Sequence, residues 1–350
     1  MRKAYSSFGG RETNFLLRGA GMRRTSGNVL FYAACLAAGI SVFSFFGCAG
    51  TGEKTQEVKV TFVQNNEKIA ELSVASGGKI DVKNVEAPET EKEDCVTEWN
   101  FDFDLPVTEN KTVGTISYTA GLNFSKSLKE ESYLITGYTG NAADVFMPDN
   151  YKGSPVTAIR ADSFKENEAI VSVRFPSALV SVGDYAFKGC HSLKTAKLPE
   201  TVTSLGASAF AECAALTSFT IPAKVTKIPA RLAQGHTYDS IVVPEGVSVI
   251  EPYAFASKIT KIVLPVTLKR IEYVGIWANL RQIFYTGEEY RWETVELSDE
   301  PYTGTGGVTF SAKSIASEIA VVYFYSDKQP EKPGNYWHYV SGEPAIWEQA

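Results

Sequence analysis

Between Ile170 and Leu280 one arrangement of apolar and polar positions recurs five times. Each copy turns on an apolar residue followed by proline: Phe175-Pro176, Leu198-Pro199, Ile221-Pro222, Val243-Pro244 and Leu264-Pro265. The prolines are 23, 23, 22 and 21 residues apart. A fixed period of this size marks a solenoid, in which each unit is one coil stacked on the last. Six residues before each proline stand Ile170, Leu193, Leu216, Tyr238 and Ile259. Three before stand Val173, Ala196, Phe219, Ile241 and Ile262. Three after stand Leu179, Val202, Val225, Val247 and Leu268; six after, Val182, Leu205, Ile228, Ile250 and Ile271. Eleven after stand Phe187, Phe210, Ala233 and Phe255, with Trp277 one place later in the last copy. One coil buries none of these alone, but stacking turns each column into a buried ridge. β-branched residues and alternation around each proline favour short strands over helices. Proline has no N–H to donate, so it suits a strand end or corner.

The alternation also assigns an outward face. Two before each proline stand Arg174, Lys197, Thr220, Val242 and Val263; four before, Ser172, Thr195, Ser218, Ser240 and Lys261. The first row passes from basic to apolar along the stack. Val242 beside Val263 predicts an exposed apolar strip, the kind of feature that marks a contact site. These ten residues are the candidate binding face; the equal alternative is that serine, threonine and lysine simply keep a strand face soluble.

Three places past the phenylalanine column runs a ladder of Asn167, Cys190, Cys213 and His236. Small polar or thiol side chains at a corner can satisfy turn backbone groups that the stack buries. Cys, Cys and His are also zinc ligand types. Coils stacked about 4.8 Å apart put the outer two members about 10 Å apart, too far for one ion. No metal is therefore expected, and buried thiols are preferred to a Cys190–Cys213 disulfide.

The run "SVGDYAFKGCHSLKTAKLPETVTSLGASAFAECAALTSFTIP" resembles the BspA-type leucine-rich repeats of bacterial surface proteins, and the likeness extends from about Gly137 to Tyr285. It implies a leucine-rich-repeat solenoid, surface location and adhesion to host or neighbouring-cell proteins. Met147-Pro148 marks an irregular first coil, which places the solenoid with its N-terminal cap at 120–285.

Upstream, residues 58–119 read as a separate small unit. "VKVTFVQNNEKIAELSV" predicts two alternating strands around a polar turn, Gly77-Gly78 marks another turn, and "EWNFDFDLPVTENKTVGTISY" an aromatic run and a closing strand. Val60-Thr61-Phe62, Gly77-Gly78, Trp99, Phe103-Asp104 and Pro106 to Asn110 resemble the InlB B-repeat family, which implies a small β-grasp-like spacer or binding module. The fold class is mainly β: a solenoid preceded by this module.

Residues 1–47 read as a secretory signal, with Met22-Arg23-Arg24 as its basic start (Met22 being a candidate true start) and Val29 to Phe46 as its uncharged apolar stretch. Cys48 directly after Gly47 resembles a bacterial lipobox, which implies lipidation of Cys48 and a membrane anchor in the cell envelope. An uncleaved membrane span is the competing reading. Residues 48–57 then form a short tether.

The tail, 286–350, predicts a C-terminal cap. A short amphipathic helix is expected over Glu288 to Leu297, a strand over "IAVVYFYS", and a hairpin turning at Ser341-Gly342. Its aromatics Tyr336, Trp337, Tyr339 and Trp347 are read first as a half-buried cap core; as flat faces for stacking a sugar they are the alternative to a protein-binding face.

Charge and chemistry narrow the classes. Residues 1–47 hold six basic residues and one acidic, leaving 28 basic against 39 acidic and a net of −11 on the remainder. That balance argues against nucleic acid as partner. With three histidines (His191, His236 and His338) no catalytic triad, HExxH, phosphate loop or GxGxxG can be assembled. No cofactor is expected, and the reading is non-enzymatic, with a structural envelope protein lacking a dedicated ligand as a further alternative.

Overall fold

A computed structural model describes residues 56–90, 92–255, 258–273, 279–303 and 309–348. The expected signal, Cys48, nearly all of the tether and Trp277 lie outside the described residues.

Each repeat forms one coil with a front and a back segment separated by its proline, and parallel pairing joins most of these segments to those of the neighbouring coils. The proline ends the front segment and its carbonyl accepts from the N–H three residues on, as in Leu179 N to Pro176 O at 3.1 Å and Leu268 N to Pro265 O at 3.0 Å. The front sheet has two parts. The first pairs Asp144–Phe146, Ser172–Arg174 and Thr195–Ala196. The second orders Ser240–Val242, Lys261–Leu264, Gln282–Tyr285, Val321–Tyr325, Tyr336–Val340 and Glu343–Ile346. The back is likewise in two parts, from Leu122–Lys126 to Ser204–Leu205 and from Lys227–Ile228 to Glu296–Leu297.

Every apolar column lies inside. Phe187 and Phe210 are fully buried, worth about 1.5–3 kcal/mol each in area removed from water. The rings of Phe164, Phe187 and Phe210 stack in parallel at 4.8 and 5.2 Å. The stack stops where Ala233 takes the phenylalanine place. There Phe219 reaches Phe210 at 5.0 Å, and Phe219, His236 and Tyr238 meet edge to face at 6.2 and 5.2 Å. Ala233, Phe219, His236 and Tyr238 are all buried, so this coil keeps an apolar and aromatic interior without the phenylalanine. The front sheet is interrupted in this same coil: residues 216–220 form no strand.

Both ends of the stack are covered. At the first, the hairpin Leu122–Lys126/Tyr133–Tyr138 closes the back sheet, and Tyr118, Phe124 and Tyr151 pack together, the last two stacked at 4.1 Å. Before it, Glu57–Gln64 pairs antiparallel with Glu67–Ala75 through Asn65 and Asn66, both at positive φ, and parallel with Lys111–Val113. Their side chains build a separate core with Trp99, Phe101 and Val107. A second hairpin, Cys95–Trp99 with Thr115–Thr119, carries Tyr118 into the solenoid core.

At the far end the expected helix is a single turn, Glu289–Trp292. A second helical segment, Ala312–Ser314 running into Ile315–Ile319, stands before the strand where none was expected. Ser311 and Ser314 cap it reciprocally, while Ala312 and Ile315 enter the core. The terminal hairpin turns at Ser341 and Gly342, both at positive φ.

Candidate functional site

The corner ladder forms as the columns imply. The Asn167 Nδ2 donates to Gly140 O at 3.2 Å, and the Cys190 and Cys213 thiols donate to Phe164 O and Phe187 O at 3.1 and 3.2 Å. His236 Nε2 meets Phe210 O at 2.5 Å. Each side chain satisfies a carbonyl one coil back. Both thiols are free and buried; burial pushes Cys190 up to about 12 and Cys213 higher still, so neither is a reactive thiolate. Among the described residues no group of His, Cys, Asp and Glu is arranged to hold a metal ion.

The front face holds the candidate surface. Parallel pairing aligns Phe146 with Arg174 in the first part of the front sheet, and Val242 with Val263, Val263 with Phe284 and Phe284 with Tyr323 in the second; the repeat period relates the two runs. Arg174, Lys197, Thr220 and Val242 are exposed along it. The Arg174 guanidinium lies 4.6 Å from the Phe146 ring. In the neighbouring row Thr195, Ser218, Ser240 and Lys261 are exposed; Ser172 is half-buried and donates to Asp144 Oδ1.

Two assignments are corrected. Val263, expected on the exposed strip, is only 3% exposed. Trp337, named for the alternative sugar platform, is fully buried, as the cap-core reading of the tail expects. The two corrections have one cause. The tail extends the front sheet, and Trp337 packs with Val263 and Phe284 in a small core outside the solenoid. Its indole meets Phe284 edge-on at 5.5 Å, and its Nε1 donates to Tyr285 O at 2.9 Å. Trp347 is also committed: it stacks on His338 at 3.8 Å and donates to Ser326 O at 3.0 Å. Tyr336 is half-buried, which leaves Tyr339 as the exposed member of the four.

The structure thus joins two sites that the sequence kept apart. The row from Arg174 to Val242 runs into an aromatic surface built by the tail, where Tyr325 and Tyr339 remain exposed 6.1 Å apart. The signal for this was the apolar drift of the row itself. The partner closing over it, Trp337, carried no positional signal.

The family model of the BspA type leucine rich repeat region matches residues 157–278, in six copies. Among solved structures, the chain is similar to a leucine-rich repeat protein of T. pallidum, at 24% identity and a TM-score of 0.44, over 47% of this chain and 78% of that one. A leucine-rich repeat protein of Bacteroides ovatus matches at 22% identity and a TM-score of 0.39, over 47% of this chain and 54% of that one. A leucine rich cell surface protein of Faecalibacterium prausnitzii matches at 22% identity and a TM-score of 0.34, over 51% of this chain and 42% of that one. No curated protein matches. Over residues 157–278 the solenoid matches the BspA type leucine rich repeat region, which is the leucine-rich-repeat fold its columns build.

Proposed function

We propose that this is a non-enzymatic protein of the bacterial cell surface that contacts other proteins through the front face of its solenoid, in adhesion to host or neighbouring-cell proteins. The observation that carries it is the outward row itself: Arg174, Lys197, Thr220 and Val242, at equivalent places of successive coils, are all exposed. Such a row offers charge, hydrogen bonding and apolar contact in sequence, which suits an extended protein partner. The repeats, and the surface location named for one similar protein, agree with this reading. The InlB-like module fits as a spacer, and Cys48 as the lipid anchor that holds the chain to its membrane. A sugar platform is less well supported, because both tail tryptophans are committed to internal contacts.

Cells displaying the full chain, and cells displaying Lys197→Glu with Val242→Asp, would be compared for adhesion to matrix-coated surfaces and to neighbouring cells. Loss of adhesion in the variant is expected. Equal adhesion by both, or none by either, overturns the contact reading and favours a structural envelope protein. Radioactive palmitate is expected to label the membrane fraction through Cys48; label persisting in Cys48→Ala overturns the anchor.

A further inference from the structure

Beside the tail aromatics lies an open groove of about 780 Å³. It runs between the helical turn Glu289–Trp292 and the ends of the strands Val321–Tyr325 and Tyr336–Val340. Three tyrosines line it: Tyr290, Tyr325 and Tyr336. Tyr290 and Tyr325 are 57% and 37% exposed, well above what core aromatics show. Three carboxylates line it as well, from Glu288, Glu289 and Asp327. A fourth stands at its edge, because Glu245 Oε1 accepts from the groove residue Thr286 Oγ1 at 2.6 Å. Burial, then this same Glu245 carboxylate, hold the neighbouring Tyr339 hydroxyl above its ordinary pKa.

Against its three lining carboxylates the groove sets one lining cation, Arg291. Its guanidinium lies 5.6 Å from the Tyr290 ring, so it already uses an aromatic face rather than a carboxylate. None of the four carboxylates takes part in an ion pair among the described residues. Exposed carboxylates without an ion-pair partner attract a cation, with a strength that salt screens, where they offer a neutral sugar no such attraction. Tyrosine faces beside carboxylates are the two chemistries that hold an ammonium or guanidinium together. The acidic balance of the chain after residue 47, net −11, steers the same class of partner toward it.

We propose that this groove docks a lysine- or arginine-bearing segment of the partner protein, so that contact runs along the front row and is anchored at the tail. The inference rests on the protein-contact reading and names the chemistry of the partner.

The test uses the full chain and a fluorescent peptide carrying several arginines in a glycine–serine background, read by anisotropy at low and raised salt. An acidic peptide of the same length and a neutral glycan serve as competitors. Glu288→Gln with Asp327→Asn is expected to weaken binding about tenfold and flatten its salt dependence. Tyr290→Ala, at an exposed position, is expected to weaken it about three- to fivefold. Glu67→Gln with Glu131→Gln removes the same charge far from the groove in sequence and is expected to leave binding within about twofold. Equal losses in the groove and distant variants overturn the proposal in favour of bulk charge. Glycan capture without peptide capture, or no binding of either, also overturns it. Circular dichroism of each variant separates lost binding from lost folding. The peptide assay reads the groove alone and the adhesion assay reads the row ending at Val242, so the two readings fail separately.

Discussion

Val242 and Val263 are the same residue at the same position of adjacent coils, paired directly across parallel strands, yet one is 54% exposed and the other 3%. The repeat points both side chains outward. What separates them is the tail: Trp337 closes over Val263 and Phe284 and stops short of Val242. Orientation in a solenoid is thus a local, periodic property, whereas burial of an outward residue depends on what else lands there. The stack itself supplies the inner columns. The surface that remains for a partner is what the tail leaves uncovered.

The largest effect is expected where burial owes nothing to the tail. Phe210→Ala removes a fully buried ring that stacks on Phe187 and meets Phe219 at a tilt, and should cost about 3–5 kcal/mol by denaturant melts. Trp337→Ala should cost about 3 kcal/mol, but confined to the tail. Hydrogen exchange should rise over Val321–Tyr325 and Tyr336–Val340 while the strands from Ser172 to Ala196 keep their protection. Uniform loss of protection would mean that the tail is no separate layer.

Val263→Ala should cost about 1.5–2 kcal/mol, because it empties the space under the indole. In a Trp337→Ala background the same change should fall to within about 0.5 kcal/mol, since the covering side chain is already gone. A double-mutant cycle reads this coupling directly. Additive losses would break the comparison between the two valines.

Acid should loosen the middle of the stack. His236 is buried, which holds its imidazole below the ordinary value of 6.5 despite its bond to Phe210 O, and its Nδ1 has no partner. The folded state therefore resists protonation while the unfolded chain accepts it near the ordinary value. Stability is full above about pH 6.5 and falls as pH drops below it, by at most about 1.4 kcal/mol per pH unit for one proton, until the folded imidazole also titrates. His236→Cys, the residue at this place in the two preceding coils, should remove that slope in melts taken across the range. A slope unchanged in the variant would place the acid response elsewhere.

The smallest effects are expected on the open part of the row. Val242→Ala and Thr220→Ala should each change stability by no more than about 0.5 kcal/mol, as exposed positions do. A cost near that of Val263→Ala would show that Val242 is covered in solution.

Much of the fold was legible because its signal is local and repeated. The proline period, the apolar columns and the Asn167–Cys190–Cys213–His236 ladder each recur, so one copy vouches for the next. The ladder could be read as hydrogen-bonding side chains because a zinc site fails on spacing alone. The capped segment Ala312–Ile319 was missed, since its signal is a single Ser311–Ser314 pair without an amphipathic run to announce it. The break of the front sheet at Phe219 was also missed: the alternation that marks an inward residue carries no measure of whether its coil completes the ladder.

By itself the sequence determined that the chain stacks in coils, which residues line the interior, and which rows face out. Periodicity suffices for these, because every coil meets the same neighbours. The tertiary structure alone decided which outward residues stay exposed. That choice hangs on one aperiodic contact between Trp337 and the pair Val263 and Phe284. It also decided that Glu245, Glu288 and Asp327 share one neighbourhood with Tyr290 and Tyr325. These residues lie on different coils and on the tail, where no repeat relates them, and only the close of the chain onto its own last sheet brings them together.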